Sequence, residues 1–224
     1  MQTSMKTTVS KEIELKYLIS TPDGFDREKE KLPMIVFLHG AGECGSDPDV
    51  MLCHSIPKIF KNGHAATCPD LRVITLCPQC PEDMVWDPIL LHVKELINKV
   101  IKEYNVDEDR VSLTGLSMGG FGSYQLAILF PEMFSALAVC CGGGIEGLAC
   151  CLGKMPVRLY HGLDDDDVPP IRAISLEKAL KDAGNPPEMF LYEGVSHNVW
   201  NIAYEKTDCI EWLASQVRKI NKIK

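Results

Sequence analysis

From residue 34 onward the chain alternates short apolar segments with helical ones, and this alternation narrows the fold more than any other property. Met34-Ile-Val-Phe-Leu38 is apolar at every position, a pattern that suits a strand buried on both faces of a parallel sheet. Residues 71–76 read the same way, and residues 111–114, 135–141, 157–161 and 189–193 supply further short strands. Helices are predicted over 50–61, broken or kinked near Pro57, and over 88–104, 119–130, 171–183 and 204–220. The 88–104 segment is the clearest: Ile89, Leu90, Val93, Leu96, Ile97, Val100, Ile101 and Tyr104 recur at i, i+3 and i+4. Asp87 is the expected N-cap there, with Pro88 at the first helical position. Strand–helix alternation implies right-handed crossovers and a doubly wound, mostly parallel α/β sheet with helices on both faces. Residues 11–20 alternate apolar and polar side chains instead, as a half-buried antiparallel edge strand does. The 224 residues show no repeat or linker, so one domain over 1–224 is expected.

Composition excludes several classes. An apolar fraction of 46% with 24% charged residues is that of a folded globular protein. Twenty-three basic against 31 acidic residues give a net charge of −8, which repels phosphate backbones and anionic lipid, so neither nucleic acid nor membrane is an expected partner. The N-terminal residues lack the apolar core of a secretory signal, and a cytoplasmic location is expected. The ten cysteines are then read as reduced thiols. Cys77-Pro-Gln-Cys80 has CxxC spacing, but no second pair follows at zinc-ribbon distance, and no metal or cofactor is implied.

In doubly wound folds, sites lie beyond the carboxyl ends of the strands. Gly115-Leu-Ser117-Met-Gly119 stands at such an end, between strand 111–114 and helix 119–130. GxSxG in that context is a sharp strand–turn–helix presenting a serine nucleophile above the sheet. A hydroxyl needs a base. His197, in Gly194-Val-Ser-His-Asn-Val-Trp200 after the last strand, fits best; His54, His64, His92 and His161 fit less well. The base needs an acid, and the loop after strand 157–161 holds Asp164-Asp-Asp-Asp167. Residue chemistry does not choose among the four. An oxyanion requires two backbone N–H donors: Met118, after the nucleophile, and Ala41, in His39-Gly-Ala-Gly-Glu43 after strand 34–38.

His39-Gly-Ala-Gly-Glu, Pro78-Gln-Cys-Pro81, Trp86-Asp-Pro88, Leu113-Thr-Gly-Leu-Ser-Met-Gly-Gly120, His161-Gly…Asp…Val168-Pro169 and Gly194 to Trp200 occur in this order. Together they resemble the small, cap-less α/β-hydrolase carboxylesterases: phospholipase/carboxylesterase, dienelactone-hydrolase-like, and feruloyl- or polyhydroxybutyrate-depolymerase-like esterases. The resemblance covers nearly the whole chain from about residue 12. It implies an α/β-hydrolase fold without a large cap domain, and a Ser117–His197–Asp165 triad with Ala41 and Met118 as oxyanion donors. Its pattern His-Gly-x-x-Asp-x-x-Val-Pro places the acid at Asp165. Asp166 stands where relatives often carry proline, so Asp164 is the alternative acid.

The expected reaction is serine-dependent hydrolysis of a small ester. Without a cap, short-chain or aryl esters are favoured over long-chain lipids, with carbohydrate acetyl and feruloyl esters among them. Trp86 and Trp200 are candidate walls of the substrate site, and Glu43 a candidate barrier to anionic substrates. Serine peptidase and non-catalytic binding protein are the alternative functions. The oligomeric state stays open, a homodimer included.

Overall fold

The computed structural model describes residues 12–61 and 68–218. Seven strands form one sheet: β1 (Tyr17–Ser20), β2 (Met34–Leu38), β3 (Ile74–Pro78), β4 (Val111–Leu116), β5 (Leu137–Cys140), β6 (Val157–Gly162) and β7 (Glu188–Tyr192). Their spatial order is β1-β3-β2-β4-β5-β6-β7. β1 runs antiparallel to β3, and all other pairings are parallel. Six α-helices are described: α1 (Ser55–Ile59), α2 (Leu90–Glu103), α3 (Met118–Leu129), α4 (Ile171–Asp182), α5 (Trp200–Lys206) and α6 (Cys209–Ser215).

The period-2 alternation of each central strand divides the core in two. Met34, Val36 and Leu38 join Val93, Ile97, Leu126 and Leu176 under α2, α3 and α4. Ile35 and Phe37 join Ile56, Ala203, Tyr204, Ile210 and Leu213 under α1, α5 and α6. A strand feeding both layers must be apolar throughout, which is why the Met34 to Leu38 run was readable in the sequence. Among the described residues no helical insertion forms a cap over the strand ends, and no helix is long and apolar enough to cross a membrane. All ten cysteines are free thiols.

Several elements depart from the sequence-based expectation. Only Tyr17–Ser20 of the 11–20 segment pairs in the sheet, and Lys11 lies outside the described residues. β3 begins at Ile74 and runs through Pro78 rather than over 71–76. Over 50–61 the break falls at His54, whose backbone is extended between a 3₁₀ stretch, Pro48–Cys53, and α1. Pro57 sits in the first turn of α1, where a missing N–H leaves no helical bond unmade.

Asp87 is not the N-cap of its helix. The cap position is Trp86, with helical backbone angles, and the Asp87 carboxylate accepts a hydrogen bond from Gln125 Nε2 at 3.0 Å. The closing 204–220 helix is two short ones. At the break, Thr207 Oγ1 donates to Ala203 O at 2.6 Å and accepts from Cys209 N at 3.2 Å, replacing helical bonds with side-chain ones. Residues 219 and 220 lie outside the described residues.

The turn from β4 into α3 is the tightest place in the fold. A Cβ on Gly119 would overlap the Leu38 carbonyl of β2, and a Cβ on Gly115 would overlap the Gly119 carbonyl. Gly119→Ala therefore forces backbone apart, and we expect a loss of about 3 kcal/mol, the upper end of ordinary overpacking, measurable as a lower urea midpoint.

Candidate active site

Ser117 follows β4 directly and precedes the first residue of α3, so the chain must reverse within one residue. It does so at φ 51°, ψ −122°, a conformation unusual for any residue but glycine. Two backbone bonds hold it there: Ser117 N donates to Cys140 O at 3.0 Å, and Ser117 O accepts from Phe121 N at 3.1 Å. The side chain is thereby left free for other partners.

His197 Nε2 lies 2.9 Å from Ser117 Oγ, and His197 Nδ1 lies 2.8 Å from Asp165 Oδ2. A carboxylate only accepts, so Nδ1 carries the imidazole proton and Nε2 offers its lone pair to the serine hydroxyl. Asp165 is 3% exposed. Its Oδ1 accepts from the N–H groups of Asp167 (3.0 Å) and Val168 (2.9 Å), which fixes the carboxylate plane. His161, near the end of β6, donates from Nε2 to the Val168 backbone carbonyl at 2.8 Å and lies 3.3 Å from Asp165 Oδ2. The structure thus brings Ser117, His197 and Asp165 together in series. Within the aspartate run it is Asp165, not Asp164, that faces His197.

The loops that carry Asp165 and His197 are joined to each other. Leu163 N donates to Tyr192 O at 2.9 Å and Asp164 N to Val195 O at 3.0 Å. A Cβ on Gly162 would overlap the Val195 carbonyl, so only glycine lets the two loops meet this closely.

The loop after β2 packs against the serine. A Cβ on Gly40 would lie 2.9 Å from Leu116 Cδ1 and 3.6 Å from Ser117 Cβ. Ala41 follows and opens a single 3₁₀ turn, Ala41–Glu43, while Met118 opens α3, where first-turn N–H groups have no intrahelical acceptor. A polar network holds this loop. His39 Nε2 accepts from Cys80 N at 2.9 Å, so its proton sits on Nδ1, which donates to Gly40 O at 2.6 Å. Gln79 Nε2 donates to Glu43 O (3.0 Å) and Asp47 O (2.8 Å), and Gly45 N donates to Cys80 O at 2.9 Å.

Trp86 belongs to this network and is not a wall of the site. It is 1% exposed, its Nε1 donates to His39 O at 3.0 Å, and its side chain fills the space over Gly122. Glu43 lies beside the Gly40 loop, at 8% exposure, with Oε1 2.7 Å from His54 Nε2 and Oε2 3.7 Å from His39 Nδ1. Trp200 meets His197 directly. Its half-buried ring stands edge-on to His197, centroids 5.5 Å apart, with His54 at 5.4 Å on another side. His64 lies outside the described residues.

A family model described as the dienelactone hydrolase family matches residues 25–209. The chain belongs to the dienelactone hydrolase family. Among curated proteins, a bifunctional acetylxylan esterase/xylanase from Neocallimastix patriciarum is 35% identical over 74 residues, 33% of this chain and 11% of that one. Among solved structures, a thermostable esterase is 32% identical with a TM-score of 0.77, over 92% of this chain and 60% of that one. An S-formylglutathione hydrolase from Agrobacterium tumefaciens shares the fold at 16% identity and TM-score 0.70, covering 91% and 90% of the two chains. The chain thus spans only part of the acetylxylan esterase/xylanase and of the thermostable esterase. As a member of the dienelactone hydrolase family, the chain has the α/β-hydrolase fold.

Among the described residues, two groups of side chains could hold a cation: Asp165, Asp167 and His197 at the serine, and Glu43, Cys53 and His54 beside it. Burial of Glu43 favours its neutral form, but the His54 hydrogen bond, the nearby His54 and His39 charges and the Gly40 N–H outweigh this and lower its proton affinity. Burial dominates at His39 and holds its ring below the usual histidine range.

That shift has a consequence for folding. The neutral His39 ring is stabilised by the fold, so its contribution is full above the unfolded pKa near 6.5 and is lost as pH falls toward the depressed folded value. Glu43 adds a second loss below about 4.5, again as its folded pKa is approached. Urea unfolding should show stability falling from pH 7 to 5, and His39→Asn, though less stable throughout, should show a shallower slope in that window.

Proposed function

We propose that this chain is a serine carboxylesterase that hydrolyses short-chain or aryl esters through an acyl-enzyme. The observation that carries the proposal is the hydrogen-bonded series Ser117 Oγ–His197 Nε2 and His197 Nδ1–Asp165 Oδ2, at 2.9 and 2.8 Å, in a member of an esterase-containing family. A base aimed at a strained serine favours this reading over a binding protein.

In the proposed mechanism, Ser117 Oγ attacks the ester carbonyl as His197 Nε2 takes its proton. Asp165 holds the imidazolium with its charge and its fixed plane. The N–H groups of Ala41 and Met118 receive the oxyanion, where each preorganised donor stabilises charge that develops only in the transition state. His197 returns its proton to the leaving alcohol, the acyl group remains on Ser117, and water, activated by His197, releases the acid. Carbohydrate acetyl esters are the first class to screen: the partial match to an acetylxylan esterase/xylanase supports them, as does the absence of a cap among the described residues.

Hydrolysis of p-nitrophenyl esters from acetate to decanoate tests the reading. Wild-type activity should be highest on the shortest chains and be abolished in Ser117→Ala; equal turnover by both would defeat the proposal. Asp165→Asn should lower kcat by about 10⁴-fold, whereas Asp164→Asn should leave it within a few-fold.

The hole has its own test. Gly40 is extended and Ala41 opens the 3₁₀ turn, so proline fits at position 41 while removing the N–H. Ala41→Pro should cost about 10²–10³ in kcat with little change in KM.

A further inference from the structure

Beside the serine site lies a second cluster that the proposed reaction does not use. Glu43, Cys53 and His54 bring a carboxylate oxygen, a thiol sulfur and an imidazole nitrogen within 4.8 Å of one another. Three features set it apart from a chance grouping. First, the histidine is oriented: its Nδ1 is engaged by Ser55 Oγ at 2.9 Å, so Nε2 is the nitrogen that faces Glu43 Oε1, at 2.7 Å. Histidines that bind metal are held in this way through the nitrogen that does not ligate.

Second, Glu43 is 8% exposed and its Oε2 is buried with no hydrogen-bond partner among the described residues. The Gly40 N–H lies near the carboxylate, but no donor meets Oε2 in bonding geometry. His39 Nδ1 is 3.7 Å away, and its proton is committed to Gly40 O. A buried carboxylate with only one of its oxygens hydrogen-bonded is costly, and a cation bound to the same carboxylate would offset its charge. Third, Cys53 is exposed, which gives an ion a path inward, and its position at the end of the Pro48–Cys53 turn places it next in the chain to His54.

We propose that Glu43, Cys53 and His54 form a binding site for a zinc-type divalent cation. A sulfur, nitrogen and oxygen donor set excludes magnesium and calcium, which take oxygen shells, and suits zinc or cobalt with a water in the fourth position. On binding, the Cys53 thiol releases its proton to solvent as the sulfur–metal bond forms. His54 Nε2 faces a carboxylate that only accepts, so it carries the ring proton in the metal-free chain. On binding, that proton moves through solvent to Nδ1, which then donates to Ser55 Oγ, and the Nε2 lone pair meets the ion. The Glu43 carboxylate donates one oxygen. Two anionic ligands and one neutral ligand then balance the 2+ ion. The site is separate from Asp165, Asp167 and His197, the other such group among the described residues, which contains no thiol.

Cobalt distinguishes the two. The full chain, freed of metal with a chelator and kept reduced, is titrated with Co²⁺ alone and followed by absorbance. A thiolate-to-cobalt charge-transfer band in the near ultraviolet, saturating at one equivalent, is expected for wild type. Cys53→Ser should abolish the band while retaining the wild-type unfolding midpoint in metal-free buffer, and His54→Gln should weaken binding about tenfold or more. The Cys150→Ser/Cys151→Ser double variant, which removes the exposed adjacent thiols, should keep the band. Absence of the band in wild type, or its survival in Cys53→Ser, would overturn the proposal. Visible cobalt absorption without the charge-transfer band would also overturn it, by placing the ion on Asp165, Asp167 and His197.

Discussion

The close approach of α3 to the end of β2 is the constraint on which the site depends. Gly119 touches the Leu38 carbonyl with no room for a side chain, and this contact forces the reversal that puts Ser117 at positive φ. Strain of this kind costs about 1–3 kcal/mol and persists only where surrounding structure over-determines it. Here the over-determination is visible: the Ser117 N–H is bonded to β5, its carbonyl to the second turn of α3, and the sheet beneath is apolar on both sides. The same contact carries the end of β2, and with it the Gly40–Ala41 loop, to the side of the serine.

The polar groups around that loop show how backbone can be buried outside regular structure. Each buried N–H and C=O must find a partner, and side chains supply them: His39 accepts from Cys80, Gln79 donates to two carbonyls, and Trp86 donates to His39. These groups touch no substrate in the proposed mechanism. They keep a glycine-rich segment from collapsing into the space that a reacting carbonyl would occupy.

Much of this was legible in the sequence because a few residues are under strong local demands. Met34 to Leu38 must be apolar at every position, and its strand was read to the residue. Ser117 needs flanking glycines, and its turn announced itself. Other features depend on partners far away in sequence. Asp87 reads as an N-cap, yet Gln125 claims its carboxylate. Trp86 and Trp200 both follow strand ends, and nothing local says that one turns into the core while the other meets His197. Four successive aspartates are chemically alike; which of them faces the histidine is set by two local N–H groups that hold one carboxylate, at Asp165. The roles of His54 and His161 rest on contacts with Glu43 and Asp165 that only the folded chain creates.

The pairing of the loops after β6 and β7 has a mechanical consequence. Because backbone bonds tie Leu163 and Asp164 to β7 and the segment after it, the loops that carry Asp165 and His197 are joined directly at one edge of the sheet. Ser117 and the Gly40–Ala41 loop lie nearer its centre, where β2, β4 and α3 meet. The hydrogen bond between His197 Nε2 and Ser117 Oγ links the two segments. A shift of one segment against the other would act on the His197–Ser117 bond, whereas the Leu163 N–Tyr192 O and Asp164 N–Val195 O bonds hold the Asp165 and His197 loops together.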